Sequence, residues 1–342
     1  MRILFCQTVP YLPQDHGGGL TNTHALCTAL KSRNCEVAVL CQDANRALSS
    51  FFSRPLGLND KVFDYPVTRA RDPLGAVDAI CRSFRPDIAV VQFGDVAGMV
   101  HALNRCGVPA LAYLHDTFSV PSVDRTAAAY AACSNVVAAA LHSALSVDAV
   151  VMPVLIDREA YLVPRTGNYV TFVNPIPRKG IEIVFSLAAR RPDIRFQFIE
   201  AWHLRGRVRN YLRQRIAYYG NISLVGPSQD MRPVYHKSRL ILAPSLWVEA
   251  WGRVVSEAQV SGIPALASDS GGLPEAVGEG GTIVARDASI SEWSKALDAL
   301  WSDTHFYETK SAAALAHSAR PEFALEAIID RFLALLQQHH RL

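Results

Sequence analysis

Two carboxylates eight positions apart dominate the chemistry legible in this chain. Glu249 and Glu257 lie in the stretch Pro244-Ser245-Leu246-Trp247-Val248-Glu249-Ala250-Trp251-Gly252-Arg253-Val254-Val255-Ser256-Glu257-Ala258, which runs from an apolar strand candidate into a helix candidate. A helix opening near Gly252 directs its first backbone N–H groups and the positive end of its dipole at a ligand, an arrangement that holds a diphosphate without a metal. At ~1.5 Å per helical residue the two acids stand ~12 Å apart, comparable to the reach from a sugar ring across a diphosphate to a ribose. Each acid then accepts hydroxyls at one end. On spacing alone a second reading stands beside this one, with Glu257 on the helix surface and Glu249 an acid favoured by the dipole.

Further groups lie where other strand candidates end. Arg178 and Lys179 follow Phe172-Val173-Asn174-Pro175-Ile176-Pro177, and Gly180 precedes a helix. Adjacent cations there suit developing phosphate charge, although Arg178 also reads as an exposed arginine. Gly17, Gly18 and Gly19 close the loop that begins at Pro10 and lead into the first long helix. Glycine lets backbone amides approach a ligand closely, a plain flexible turn being the alternative. The same glycines partly imitate a dinucleotide fingerprint with Asp43 further on, but Asn22 occupies the third glycine position and the cluster starts ten residues after Gln7. His115-Asp116 follows the run Ala110–Leu114, with Asp116 placed to orient His115 or an acceptor; a lone histidine is more often structural. Val225-Gly226-Pro227-Ser228-Gln229-Asp230-Met231 leaves another strand, and Asp230 reads equally as the cap of the next helix.

The elements that position these groups alternate. Short apolar runs at Ile3–Cys6, Val37–Leu40, Ile88–Val91, Ala110–Leu114 and Ala149–Val151 are separated by helical patterns such as Thr21–Lys31 and Leu74–Phe84. Such runs mean parallel strands buried on both faces, hence a doubly wound sheet. After a polar break at 153–167 the alternation restarts, with strands expected at Tyr169–Val173, Phe196–Ile199, Ile222–Val225, Leu240–Ala243, Ala265–Ala267 and Thr282–Val284. Helices are expected at Ile181–Ala189, Arg207–Tyr218, Gly252–Val260 and Ile290–Leu300, and an amphipathic helix at Phe323–Gln338. The expected fold class is α/β, two Rossmann-like parallel-sheet domains facing across a cleft where the strand ends meet.

Bulk properties fit a packed globular protein whose ligand is a small anion rather than DNA. The chain has 342 residues, half of them hydrophobic, and 19% charged, which suits two packed domains and excludes a disordered or stapled miniature fold. A net charge of +3 is too small for a nucleic-acid binder. The dense basic run Arg205, Arg207, Arg209, Arg213 and Arg215 is read as a solvated helix face or as a contact for an anionic acceptor or lipid headgroup. All seven cysteines fall between Cys6 and Cys133 without a Cys-x-x-Cys pair, and no apolar stretch reaches membrane-spanning length. A reducing, cytoplasmic location with at most peripheral membrane association is therefore expected.

The block from Pro244 to Glu275 goes beyond generic chemistry. Pro244-Ser245, Glu249, Gly252, Glu257-Ala258, Gly262-Ile263-Pro264, Ser268 and Gly271-Gly272-Leu273-Pro274-Glu275 resemble, in order and spacing, the paired-glutamate motif of retaining GT-B glycosyltransferases, in particular glycosyltransferase family 4. The resemblance implies an acceptor-binding domain over 1–157, a nucleotide-sugar domain over 165–320, and a C-terminal helix over 321–342 that packs back on the first domain. It implies that Glu249 contacts donor-sugar hydroxyls, that Ala250, Trp251, Gly252 and Arg253 bring backbone toward sugar and phosphate, and that Glu257 binds the ribose diol. Lys179 takes the place of the donor-phosphate lysine, and Gly17, Gly18 and Gly19 resemble the loop that closes over phosphates and acceptor. His115 meets the donor sugar, and the turn at Asp230 and Met231 lies against the nucleobase. Two departures stand out. Asn174 occupies the position of the usual arginine, with Arg178 as the candidate replacement, and Glu200-Ala201-Trp202-His203 stands where a glycine-rich turn is usual.

The implied reaction is transfer of a sugar from a nucleoside-diphosphate sugar, UDP or GDP being the expected carrier, to an acceptor hydroxyl in glycan, glycolipid or natural-product synthesis. No Asp-x-Asp occurs in the chain, so a metal is not expected, nor any cofactor beyond the sugar nucleotide itself. A related epimerase or phosphorylase, and a non-catalytic sugar-nucleotide binder motivated by Asn174, are the alternatives.

Overall fold

Strand runs that are apolar on both faces are stable only where helices cover both sides of a sheet. A computed structural model describes residues 1–44, 58–60, 62–201, 204, 206–228 and 230–340. It divides by contact into two units, Met1–Leu155 with Leu325–Leu342, and Ile156–Ala324. Each unit is built on its own sheet.

Among the described residues the first unit has eight strands: β1 (Arg2–Pro10), β2 (Glu36–Gln42), β3 (Leu58–Asp60), β4 (Val67–Ala70), β5 (Ile88–Val91), β6 (Ala110–Leu114), β7 (Ala129–Ala132) and β8 (Val150–Val151). Their order is β3-β4-β2-β1-β5-β6-β7-β8, parallel except for β3 against β4. β5 is fully enclosed, each of its four residues at 0% exposure, as its unbroken Ile-Ala-Val-Val run requires. The sequence reading did not anticipate β4, because its Val-Thr-Arg-Ala lacks a continuous apolar run. Its Arg69 is nevertheless buried, donating to the carbonyls of Tyr11 (3.2 Å) and Leu12 (2.5 Å) and so tying down the loop after β1. The helix Leu325–His339 belongs to this unit, where Phe332 packs 5.8 Å from the Tyr113 ring and Arg33 pairs with Glu326 and Asp330.

The second unit carries β9 (Tyr169–Val173), β10 (Arg195–Ile199), β11 (Ile222–Val225), β12 (Ser238–Ala243), β13 (Ala265–Ser268) and β14 (Gly281–Val284), all parallel in the order β11-β10-β9-β12-β13-β14. Phe172, Phe185 and Phe198 form the aromatic centre of its core, with ring centroids 5.3 and 5.5 Å apart. A polar seam crosses three strands here: Gln197 donates to Thr171 Oγ1 (2.7 Å) and to the Val234 carbonyl (3.1 Å), and Thr171 meets the Ser238 hydroxyl.

Strand order decides which loops become neighbours. In an open parallel sheet the crevice lies at the C-terminal strand ends where the winding direction reverses. That reversal falls between β1 and β5 in the first unit and between β9 and β12 in the second. The loops leaving β1 and β5 carry Gly17–Gly19 and Gln92-Phe93; those leaving β9 and β12 carry Asn174–Gly180 and Pro244–Gly252. No helix among the described residues is long and apolar enough to cross a membrane.

Candidate active site

The adjacency of β9 and β12 brings Lys179 onto Glu249. Lys179 ends a 3-10 turn, Pro177–Lys179, and Gly180 follows in a left-handed conformation (φ 82°). A Cβ at Gly180 would lie 2.0 Å from the Pro244 carbonyl oxygen, so only glycine lets the two loops close to this distance. The Leu246 N–H then donates to the Arg178 carbonyl (2.9 Å) and stitches the loops together. Lys179 Nζ donates to Glu249 Oε1, and Ser245 Oγ donates to the same oxygen. The lysine and glutamate side chains keep only 16% and 12% of their exposure, so the pair is shielded but reachable.

The glutamate loop is held from behind by residues whose purpose sequence spacing did not reveal. Gly271 has φ +63°, and a Cβ there would come within 2.1 Å of the Glu249 carbonyl oxygen; one at Gly272 would come within 2.4 Å of that of Ala250. The Gly272 N–H donates to the Glu249 carbonyl (2.7 Å), and Ser268 and Ser270 donate to the carbonyls of Ser245 and Trp247. Trp247 itself was not among the expected site residues. Its ring lies 4.2 Å below the Arg178 guanidinium carbon and 5.1 Å from Lys179 Nζ. Arg178 is exposed, as one of its two readings required, and is also drawn to the site by this ring.

Asn174 is buried with φ 61°, the left-handed region that asparagine tolerates better than arginine does. Its N–H donates to the Ile199 carbonyl (2.8 Å) and its carbonyl accepts from the Ile176 N–H (2.8 Å). The helix after Gly252 runs over Arg253–Gln259, only seven residues, so its dipole is weaker than the sequence reading assumed. Gly252 and Arg253 remain partly exposed, while Trp251 turns its indole inward, donating to Ser256 Oγ (2.9 Å) and packing on Phe323.

Glu257 is 5% exposed, which rules out the helix-surface reading. Its Oε1 pairs with Arg253 Nε at 2.7 Å, one helical turn back, and its Oε2 accepts from the Tyr235 hydroxyl at 2.5 Å. Burial, and then the charge of Glu257, push the Tyr235 phenol well up, so it stays a donor. Arg253 donates in turn to the Tyr161 hydroxyl (3.2 Å). Asp230 is exposed and precedes Met231, the N-cap of the helix Arg232–Lys237, so it is not the cap; it accepts from the Arg232 N–H (2.9 Å) and pairs with the Arg232 guanidinium. Met231 packs against the buried cluster of Val173, Ile199 and Val234. In place of the glycine turn, the buried Glu200 carboxylate accepts from the Leu204 N–H (3.0 Å) and from Arg209. Trp202, His203, Arg205 and Gln229 lie outside the described residues.

In the first unit Gly17 caps the helix Gly18–Ser32 and Gly18 opens it. A Cβ at Gly19 would meet the Phe93 ring at 2.5 Å and His115 Cβ at 3.3 Å, which brings the glycine turn and the histidine together. His115 is 8% exposed and stacks on Phe93, with ring centroids 5.1 Å apart. Gln92, not Asp116, orients it. Thr23 donates to Gln92 Oε1 (2.7 Å), which turns the amide nitrogen toward His115 Nε2 at 2.9 Å. The imidazole proton is therefore on Nδ1, which has no hydrogen-bond partner among the described residues. Burial pushes the His115 pKa down to about 3, so the ring is neutral at physiological pH. Asp116 instead accepts from the Ser119 N–H (2.7 Å) in its own turn.

Comparison with known proteins supports this architecture. Residues 155–320 match the family model "Glycosyl transferases group 1". A D-inositol 3-phosphate glycosyltransferase of Nocardia farcinica is 35% identical over 117 residues, 33% of this chain and 26% of that protein. Another, of Mycobacterium leprae, is 30% identical over 190 residues, 52% of this chain and 43% of that protein. The chain thus matches less than half the length of these curated relatives. Among solved structures, the Anabaena protein HepE in complex with UDP-glucose superposes with a TM-score of 0.78 at 18% identity, covering 99% of this chain and 100% of that one. The chain therefore has the two-domain GT-B glycosyltransferase fold, and its residues 155–320 form a domain of the glycosyl transferases group 1 family.

Proposed function

We propose that this protein transfers a sugar from a nucleoside-diphosphate sugar, with UDP or GDP as the carrier, to an acceptor hydroxyl, retaining the anomeric configuration and meeting the diphosphate charge with protein groups. The observation that carries the reading is the shielded Lys179–Glu249 pair at the switch point of the second sheet. Breaking the bond between the anomeric carbon and the diphosphate oxygen builds negative charge on the leaving group, and preorganised cations in a shielded site stabilise that charge far better than water does. Lys179 places its ammonium on Glu249 within this shielded site, where it faces the charge that develops on the leaving phosphate. Arg178 adds the second cation. The contacts from Lys179 and Ser245 both fall on Oε1 of Glu249, so Oε2 is the oxygen that accepts sugar hydroxyls.

Glu257, fixed on both oxygens, keeps further lone pairs for the ribose diol. The acceptor hydroxyl attacks on the face from which the phosphate departs, and its proton passes to the departing phosphate oxygen. On the first unit, neutral His115 acts as a hydrogen-bond donor to a substrate oxygen through Nδ1–H, not as an acid. The cysteine pattern fits a reducing cytoplasm. Calorimetry with uridine, guanosine and adenosine diphosphates tests the reading, followed by transfer assays with the matching sugar donors. One of these diphosphates is expected to bind, and Lys179→Met and Glu249→Gln are each expected to cost ~10²–10³-fold in kcat. Failure of all three to bind would end the proposal.

A further inference from the structure

A glutamate side chain ends in a torsion with no sharp minimum of its own, so its carboxylate keeps one oxygen aimed at a ligand only where something else stops it turning. At Glu249 two donors do so. Lys179 Nζ arrives from the loop after β9, Ser245 Oγ arrives from four residues earlier in the glutamate's own loop, and both bond to Oε1. Each carboxylate oxygen has about two lone-pair sites, so these donors fill Oε1. Oε2 has no hydrogen-bond partner among the described residues, and the side chain keeps 12% of its exposure.

Of the two donors, the serine has the fixed origin. A lysine ammonium rides on a flexible four-carbon stem and follows its partner when that partner turns. The Ser245 hydroxyl stands one torsion from a backbone that is held on every side. Before it, the Pro244 carbonyl closes on Gly180, where a Cβ would come within 2.0 Å. After it, the Leu246 N–H donates to the Arg178 carbonyl at 2.9 Å. From behind, the hydroxyl of Ser268, the last residue of β13, donates to the Ser245 carbonyl at 2.7 Å. Ser245 and Ser268 are 2% and 0% exposed, so water does not compete for either hydroxyl. A buried hydroxyl without an acceptor is costly, which holds the Ser245 bond on Oε1.

Building on the glycosyl-transfer reading, we infer that Ser245 is a positioning residue for the donor sugar: its hydroxyl pins Oε1 of Glu249, so that Oε2 is presented to a sugar hydroxyl. The test is calorimetry with bare UDP, GDP and ADP beside UDP-glucose, UDP-N-acetylglucosamine, GDP-mannose and ADP-glucose. It uses wild type, Ser245→Ala, Glu249→Ala and the double variant, each checked for folding by circular dichroism. The readout is the ratio of sugar-nucleotide to diphosphate affinity for one base, in which a general weakening of the site cancels. Ser245→Ala should lower this ratio about fivefold, the worth of one hydrogen bond whose geometry is lost, while diphosphate affinity moves less than about twofold. On the Glu249→Ala background the same substitution should change the ratio less than about twofold, because the carboxylate it aims is gone. An unchanged ratio in Ser245→Ala, equal weakening of both ligand classes, or a loss that persists without Glu249 would mark a merely structural serine and overturn this inference while leaving the transferase reading intact. A wild type that binds a diphosphate but none of these sugar nucleotides would overturn it as well. A wild type that binds no nucleoside diphosphate would remove both.

Discussion

His115 provides the sharpest quantitative test, because its ionisation is set by burial and not by a charged partner. Moving its pKa from 6.5 to about 3 means that charging the ring in place is disfavoured by about 5 kcal/mol. In the unfolded chain the imidazole has its ordinary affinity for protons, so between these values the unfolded state binds more protons than the folded one and stability falls as pH is lowered. Between pH 7 and pH 5 this one residue should withdraw about 2 kcal/mol of stability from the first unit. His115→Asn removes the titrating group and should flatten the pH dependence by that amount, whatever its own cost at pH 7. His24 and His317 are also shifted down by burial, and they contribute equally to both proteins, so they cancel in the comparison. The assay is urea unfolding at pH 5, 6 and 7 followed by far-UV circular dichroism, together with NMR titration of the imidazole C2 proton, assigned through the variant. The His115 resonance should not titrate between pH 8 and pH 5. A midpoint above about 5.5 would refute both the burial argument and the assignment of a neutral Nδ1–H donor.

Three further outcomes follow from particular contacts. Gly271→Ala places a Cβ 2.1 Å from the Glu249 carbonyl oxygen at a left-handed position. It should cost at least about 1–2 kcal/mol of stability and displace the glutamate loop; calorimetry should then find nucleoside-diphosphate affinity down tenfold or more, and unchanged affinity would show that the loop tolerates the shift. Tyr235→Phe leaves a buried carboxylate oxygen of Glu257 without its donor and should destabilise the second unit by about 1–3 kcal/mol, read as a lower thermal midpoint. Arg69→Met removes the donor to the Tyr11 and Leu12 carbonyls, and should raise amide exchange across residues 10–19 measured by mass spectrometry, while the core of β5 stays protected.

Most of what is local was legible in the amino-acid order. The strand runs Ile88–Val91 and Ala110–Leu114 coincide with β5 and β6, because a strand enclosed on both faces has to be an unbroken apolar run. Tyr169–Val173 and Ile222–Val225 coincide with β9 and β11 even though Thr171 and the exposed Ser223 interrupt their apolar character. Gly252 at the helix start and Gly180 before the next helix were readable because backbone conformation is written in residue type. The charged strand β4 was not, for Arg69 hides its pairing behind carbonyl contacts far away in sequence.

What tertiary structure decided is which loops meet. Nothing in the chain order says that β12 lies beside β9, yet that adjacency is what sets Glu249 on Lys179, seventy residues away. Nor does spacing reveal that Trp247 underlies Arg178, that Gly271 and Gly272 must lack side chains to seat the glutamate loop, or that Gln92 fixes the His115 tautomer. Residue types declare what each group can do. Partnership depends on strand order and on close approach between distant backbones, quantities that arise only when the whole sheet has assembled.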